Sequence, residues 1–151
     1  MKDCLFCSII AGTVPSHKVW EDAKHLAFLT IFPNTEGVTV VVTKDHHNAD
    51  FYAVDESVFA DISIAARKVG QLLIDRLDDV GRTGIVFEGF GINHLHVKLF
   101  PMHGTKLDSW QPIHSDVDKY FEKYEGYISS HDYKRDDDEK LAKLAAKIRG
   151  E

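Results

Sequence analysis

The sequence predicts one α+β domain built on a largely antiparallel sheet, and three observations carry that prediction. Short β-rich runs separated by turn residues fill the first third of the chain, one long apolar stripe of helical period follows, and more β-rich runs come after it. The 151 residues suit a single domain, and a chain of this length buries roughly two-thirds of the surface it exposes when unfolded. With 44% hydrophobic and 28% charged residues, the composition excludes a disordered chain, a collagen-like chain and a disulfide scaffold.

Val19–Glu21, Leu26–Ile31 and Val38–Val42 read as strands, and Pro33-Asn34-Thr35-Glu36-Gly37 supplies the turn between the second and third. A helix begins at Asp55, where Val58, Ile62, Ala65, Val69, Leu72 and Leu73 recur at spacings of three and four. Asp55 or Ser57 is placed to cap its first turn, and Gly81 lies beyond its end. Arg82–Glu88 reads as a strand, Gly89-Phe90-Gly91 as a turn, and His94–Phe100 as a strand stopped by Pro101. Asp116–Tyr124 reads as a short amphipathic helix. Asp138–Ile148 reads as a second, with acids first and lysines later, as the helix dipole prefers. Its Leu141, Leu144, Ala145 and Ile148 form one apolar face.

Charge narrows the function. The 18 basic and 24 acidic residues give a net charge of −6, which disfavours sequence-independent coating of nucleic acid but leaves room for a locally positive phosphate pocket. No apolar run approaches the ~20 residues that span a bilayer. The opening Met-Lys-Asp-Cys-Leu-Phe-Cys-Ser is too polar for a secretory signal, so a cytoplasmic protein is expected.

Two segments carry chemistry. Cys4 and Cys7 form a Cys-x-x-Cys pair, which in a reducing compartment points to a metal site or a redox pair before a structural disulfide. Two thiolates with His46 or His47 and His94 would make a tetrahedral zinc set. A redox pair usually opens a helix after a strand, and no strand precedes Cys4, so that reading is the poorer one. The second segment is Asn93-His94-Leu95-His96-Val97-Lys98-Leu99-Phe100-Pro101. Strand alternation puts His94, His96 and Lys98 on one face, ~7 Å from one to the next, and Leu95, Val97 and Leu99 on the other. Two imidazoles beside an ammonium repel when protonated, so at least one is neutral near pH 7 and free to act as nucleophile, base or ligand. A merely polar strand face produces the same alternation.

In order and spacing together, several pieces give a specific resemblance. They are Cys4-Leu5-Phe6-Cys7-Ser8-Ile9-Ile10-Ala11-Gly12, Val14-Pro15-Ser16, Val19-Trp20-Glu21-Asp22, Leu26–Pro33, Gly37–His46 and His94–Pro101. Over about residues 4 to 103 the chain resembles the histidine triad (HIT) proteins. The resemblance implies a HIT-like sheet of about five strands with one long helix, paired as a homodimer through that helix and an edge strand. It makes residues 1–110 a nucleotide-binding domain and leaves 111–151 as a helical extension packed on it. It further implies a hydrolase or nucleotidyl transferase that cleaves a purine nucleotide conjugate at the α-phosphate, either a dinucleoside polyphosphate or a nucleoside phosphoramidate. His96 would be the nucleophile, with His94 and Lys98 beside it. Phe6, Ile9, Phe28, Leu29 and Ile31 would line the base and ribose pocket, with Thr30 at the ribose. Asn93 would serve either the phosphate or the turn. Cys4, Cys7, His46 (in preference to His47) and His94 would hold a structural zinc.

Three departures from the family pattern bear on activity. Lys98 stands where the third histidine is usual, and a charged lysine cannot accept a proton. Thr30 replaces the usual aspartate at the ribose. The turn before the triad is the shorter Glu88-Gly89-Phe90-Gly91-Ile92-Asn93, where Glu88 would repel phosphate if it pointed inward. A non-catalytic nucleotide-binding protein and a zinc-stabilised interaction protein therefore stay open as alternatives. Trp110, His103 and His114 are candidates for reaching the pocket from the C-terminal side.

Overall fold

Strands His17–Glu21 (β1), His25–Leu29 (β2), Thr39–Thr43 (β3), Arg82–Val86 (β4) and His96–Met102 (β5) form one antiparallel sheet in the order β1-β2-β3-β5-β4. A computed structural model describes residues 4–130, 134–136 and 139 of the chain. The central strand β3 is all valine and threonine, whose branched side chains fit a pleated surface, and all five residues are buried. Burial of every residue means that both faces of the sheet are covered, and each face has its own helix.

One face carries Ala27, Val41, Leu95, Val97 and Leu99 under the helix Glu56–Arg76 (α2), which contributes Ile62, Ala65, Ala66, Val69 and Leu73. The buried stripe follows the expected period. At Gly70 a side chain would meet Thr83 Oγ1 at 2.9 Å, so the glycine lets α2 lie close on β4. Asp55 occupies the N-cap position of α2, but its side chain makes no capping hydrogen bond. The other face carries Leu26, Phe28, Val40 and Val42 under a six-residue helix, Leu5–Ile10 (α1), whose Phe6 is buried among them. A bulge between Lys18 and Trp20 lets the adjacent Val19 and Trp20 both pack toward the α2 side.

Several sequence-based expectations need correction. Helix α1 is absent from them, because six residues are too few to show a periodic stripe. Strand β5 starts at His96 rather than His94 and is not stopped by Pro101, which pairs with Thr83 inside it. The reason is register: β3 leaves β5 at Leu99, so beyond that point only β4 needs hydrogen bonds from it, and a missing N–H on the open side costs nothing. Leu26–Ile31 ends as a strand at Leu29, and Arg82–Glu88 ends at Val86.

The chain divides into two units, residues 1–110 and 111–151. The first holds all the elements above. In the second, residues 111–130 contain neither helix nor strand, so the helix expected over Asp116–Tyr124 does not form. Its valine and aromatic residues are weak helix formers, and a nine-residue helix is too short to stand on propensity alone. Lys119 instead gathers Glu125 and Tyr127 locally, with its ammonium over the Phe121 ring. The helix expected over Asp138–Ile148 lies outside the described residues. Among the described residues, no helix is long and apolar enough to cross a membrane.

Candidate functional site

Alternation along β5 sends His96 and Lys98 to the α1 side of the sheet, opposite Val42 and Val40 of β3, and His94 joins them just before the strand begins. Two linked arrangements grow from these three residues.

The first centres on His94, which is fully buried. Its Nε2–H donates to the Thr43 carbonyl at 2.7 Å, and that bond fixes the tautomer. The Nδ1 lone pair is left facing Cys4 Sγ at 3.4 Å and Cys7 Sγ at 3.5 Å. His46 Nδ1 lies 3.3 Å from Cys7 Sγ, and the four ligand atoms all fall within 4.8 Å of one another. A tetrahedral zinc bound at ordinary lengths has a sulfur–nitrogen edge of about 3.5 Å, so both the donor set and its spacing fit that ion. Burial first, then the neighbouring Cys4, pushes the Cys7 thiol above its ordinary pKa. A cation among these donors would reverse that and hold both sulfurs as thiolates. His47 takes another role: its carbonyl accepts from Leu95 N–H at 2.9 Å.

The second centres on His96, also buried. Its Nδ1–H donates to the His94 carbonyl at 2.7 Å, so Nε2 keeps the free lone pair. Burial holds the imidazole below the ordinary histidine pKa. The bond to His94 opposes this and the Lys98 charge adds to it, so the ring is neutral at pH 7. Phe6 meets both imidazoles edge-on, its centroid 5.8 Å from His94 and 5.2 Å from His96, and it meets Phe28 at 5.7 Å. A buried, neutral ring with one nitrogen donating and the other bare can act as a nucleophile.

Lys98 Nζ lies 3.5 Å from Glu88 Oε2. Glu88 therefore does turn to this face, and it turns to a cation. The turn that carries it is pinned: Gly89 has φ +67°, and a side chain there would meet the Ala49 carbonyl oxygen at 2.5 Å. Asn93 Oδ1 accepts from the Ala49 N–H at 3.0 Å, which ties the other end of the same turn to the same residue.

Of the residues expected around a nucleotide, Phe6, Ile9 and Phe28 share this face. Leu29 alternates to the α2 side with Ala27. Ile31 is 70% exposed beyond the end of β2. The Thr30 hydroxyl accepts from the Phe32 N–H at 3.2 Å. His103 is engaged elsewhere, with Asp79 and the Glu36 carbonyl, each at 2.9 Å. Trp110 is exposed, and His114 belongs to the second unit. Sequence reasoning misses the Glu88–Lys98 pair, although the β4–β5 hairpin pattern holds the signal that could find it: residues two beyond a cross-strand partner share its face.

The sequence model of one family, described as HIT domain, matches residues 11–105. A protein of Candida albicans named adenosine 5'-monophosphoramidase HNT1 is 31% identical over 129 residues, covering 77% of this chain and 83% of that protein. The crystal structure of SMU.412c from Streptococcus mutans UA159 superposes with a TM-score of 0.69 at 28% identity, covering 99% of this chain and 85% of the other. A zinc-bound histidine triad family protein from Mycobacterium smegmatis shares the fold, with a TM-score of 0.62 at 22% identity over 73% of this chain and 82% of its own.

Proposed function

The chain belongs to the HIT family, and from that membership we propose that it is a nucleotide hydrolase or nucleotidyl transferase acting at the α-phosphate of a purine nucleotide conjugate through His96. The observation that carries the reading is the single hydrogen bond from His96 Nδ1–H to the His94 carbonyl, which leaves Nε2 bare on the face that also carries the Lys98 ammonium. The similarity to an adenosine 5'-monophosphoramidase supports the substrate class.

The chemistry divides one difficult step into two. The Nε2 lone pair attacks the α-phosphorus and forms a P–N bond. The bond to the leaving group breaks with its electron pair, and the departing atom takes a proton from solvent. Water then attacks the same phosphorus, the P–Nε2 bond breaks, its pair returns to the ring, and the nucleoside monophosphate leaves with the water's second proton released to solvent. Phosphoryl transfer otherwise needs positioning and charge stabilisation. Lys98 and the backbone N–H groups of the Gly89–Asn93 turn supply these, with Asn93 holding the turn in place. Phe6, Ile9 and Phe28 form the apolar wall against which a purine would stack, and Thr30 is the ribose-side residue.

Cys4, Cys7, His46 and His94 would hold a zinc ion, whose contribution there is structural: four protein donors leave no open position for a reacting group. Dialysis against a chelator should remove about one equivalent of zinc and lower Tm, and Cys4→Ser with Cys7→Ser should bind none. Exposed Ile64 on α2 and Ile85 on the edge strand β4 support a homodimer formed through that helix and edge.

Incubation with an adenosine phosphoramidate and with diadenosine polyphosphates tests the reading. Wild-type protein should release AMP from at least one of them, and His96→Ala should not. One observation favours a second reading. Lys98 is already paired with Glu88, and nucleotide binding without turnover would mean that this pair has left a binding protein.

A further inference from the structure

The Glu88–Lys98 pair does more than replace an imidazole. Resting on the hydrolase reading above, we propose that Glu88 is a specificity-determining residue that selects conjugates whose leaving group is an amine bearing a second, positively charged ammonium, and disfavours polyphosphate leaving groups.

Geometry places the carboxylate. Val86 lies directly across from Lys98 in the β4–β5 pairing, and Glu88, two residues further along, shares their face with His96. Its Oε2 is 3.5 Å from Lys98 Nζ, and its side chain is only 16% exposed against 39% for Lys98. It is not a swinging surface acid. The next residue, Gly89, sits against the Ala49 carbonyl in a conformation that only glycine adopts easily, so the backbone that carries Glu88 is fixed.

Charge then decides what fits. A neutral histidine at position 98 with an uncharged residue at 88 would leave the site without a fixed charge of either sign. Lysine with glutamate has the same net charge but separates it, so an incoming conjugate meets a cation and an anion side by side. The α-phosphate oxygens take the ammonium of Lys98. The atoms bonded to that phosphorus then lie within reach of the Glu88 carboxylate, since it is already in contact with the same ammonium. Each additional phosphate on the leaving side meets like charge, and an ammonium there meets its complement. The chain's net charge of −6 adds to the same discrimination.

The experiment compares kcat/KM for two adenosine 5'-phosphoramidates of equal length, one of 1,3-diaminopropane with its free ammonium and one of n-butylamine, and for diadenosine tetraphosphate. Wild type, Glu88→Gln and Glu88→Asp are measured at low and high salt. Wild type should prefer the ammonium-bearing conjugate over its neutral partner by about fivefold to tenfold, a preference that shrinks at high salt. Glu88→Gln should bring the ratio near one and raise the relative rate on the tetraphosphate, whereas Glu88→Asp should keep much of the preference. A merely structural role would lower all three rates together and leave the ratios alone. Equal rates on the two phosphoramidates in wild type, or a ratio untouched by Glu88→Gln, would overturn the proposal while leaving the hydrolase reading intact. If Glu88→Gln does not fold, a wild-type preference that is insensitive to salt overturns it instead. AMP released from none of the three would bring down the hydrolase reading, and the selectivity assigned to Glu88 with it.

Discussion

The two faces of the sheet are made from the same strands and do opposite work. Toward α2, β5 sends Val97 and Leu99, with Leu95 just before it, into an aliphatic layer with no titratable group among its buried members. Toward α1 the same stretch sends His94, His96 and Lys98 among aromatic rings and thiols. The contrast shows how a small domain holds reactive side chains still. A dry, close-packed face fixes the backbone, and period-two alternation then delivers every second side chain to the site with little freedom left. Among the described residues no buried side-chain nitrogen or oxygen lacks a hydrogen-bond partner.

Substitutions that touch one face and spare the other test this division. The largest effect belongs to the reactive face. His96→Asn keeps a donor for the His94 carbonyl but removes the proposed nucleophile, so kcat should fall by at least about 10³-fold with Tm little changed, as measured by AMP release and thermal melting. On the other face of the same strand, Leu99→Ala should cost about 2–5 kcal/mol in denaturant unfolding. KM for the nucleotide should stay put in the protein that remains folded. A large change in KM there would show that the faces are not independent.

A smaller effect is expected at the edge between them. Gly89→Ala forces an unfavourable φ and a contact with the Ala49 carbonyl, at a cost of about 1–3 kcal/mol. Because Glu88 is adjacent, this substitution should disturb rates as well as stability, and unchanged kinetics would show that the turn does not position the site.

The smallest effect lies away from both faces. The Glu36 carbonyl and then Asp79 raise the pKa of His103, and the hydrogen bond to His103 lowers that of Asp79. A raised histidine stabilises the fold most below its unfolded value of about 6.5 and loses that contribution as pH climbs through the folded value. A lowered aspartate contributes above about 3.8 and loses it as pH falls through the folded value. The Tm difference between wild type and His103→Gln should therefore be greatest between about pH 4 and 6.5 and shrink toward pH 8.

Much of this architecture is legible in the residues themselves. The His-x-His-x-Lys alternation places three side chains on one face because strand geometry leaves no choice, and the α2 stripe runs at a period that only a helix satisfies. What cannot be read is anything set by distant partners. The Nδ1–H of His96 finds a carbonyl in its own segment, but the Nε2–H of His94 finds one 51 residues away, at Thr43, and no pattern in sequence announces that. Leu29 and Ile31 look like one continuous apolar run, yet the strand ends at Leu29 and alternation sends that side chain to the wrong side. Pro101 reads as a stop because the rule for proline assumes neighbours on both sides, and β5 has lost one of them by then. Asp116–Tyr124 has the spacing of a helix but neither the length nor the residue types that sustain one alone.

Helix α1 bears on how the protein is made. Its N-cap Cys4 meets His94 across a sequence separation of 90 residues, and its Phe6 rests on Phe28, His94 and His96. During synthesis α1 is translated early, yet its last partner leaves the ribosome only after four of the five strands have been made. Until then Phe6 has an incomplete seat and the two thiols lack their buried imidazole. Capture of a cation by the proposed four-donor site would thus be a timestamp on the nascent chain, set only once His94, just before β5, has been delivered to the thiols.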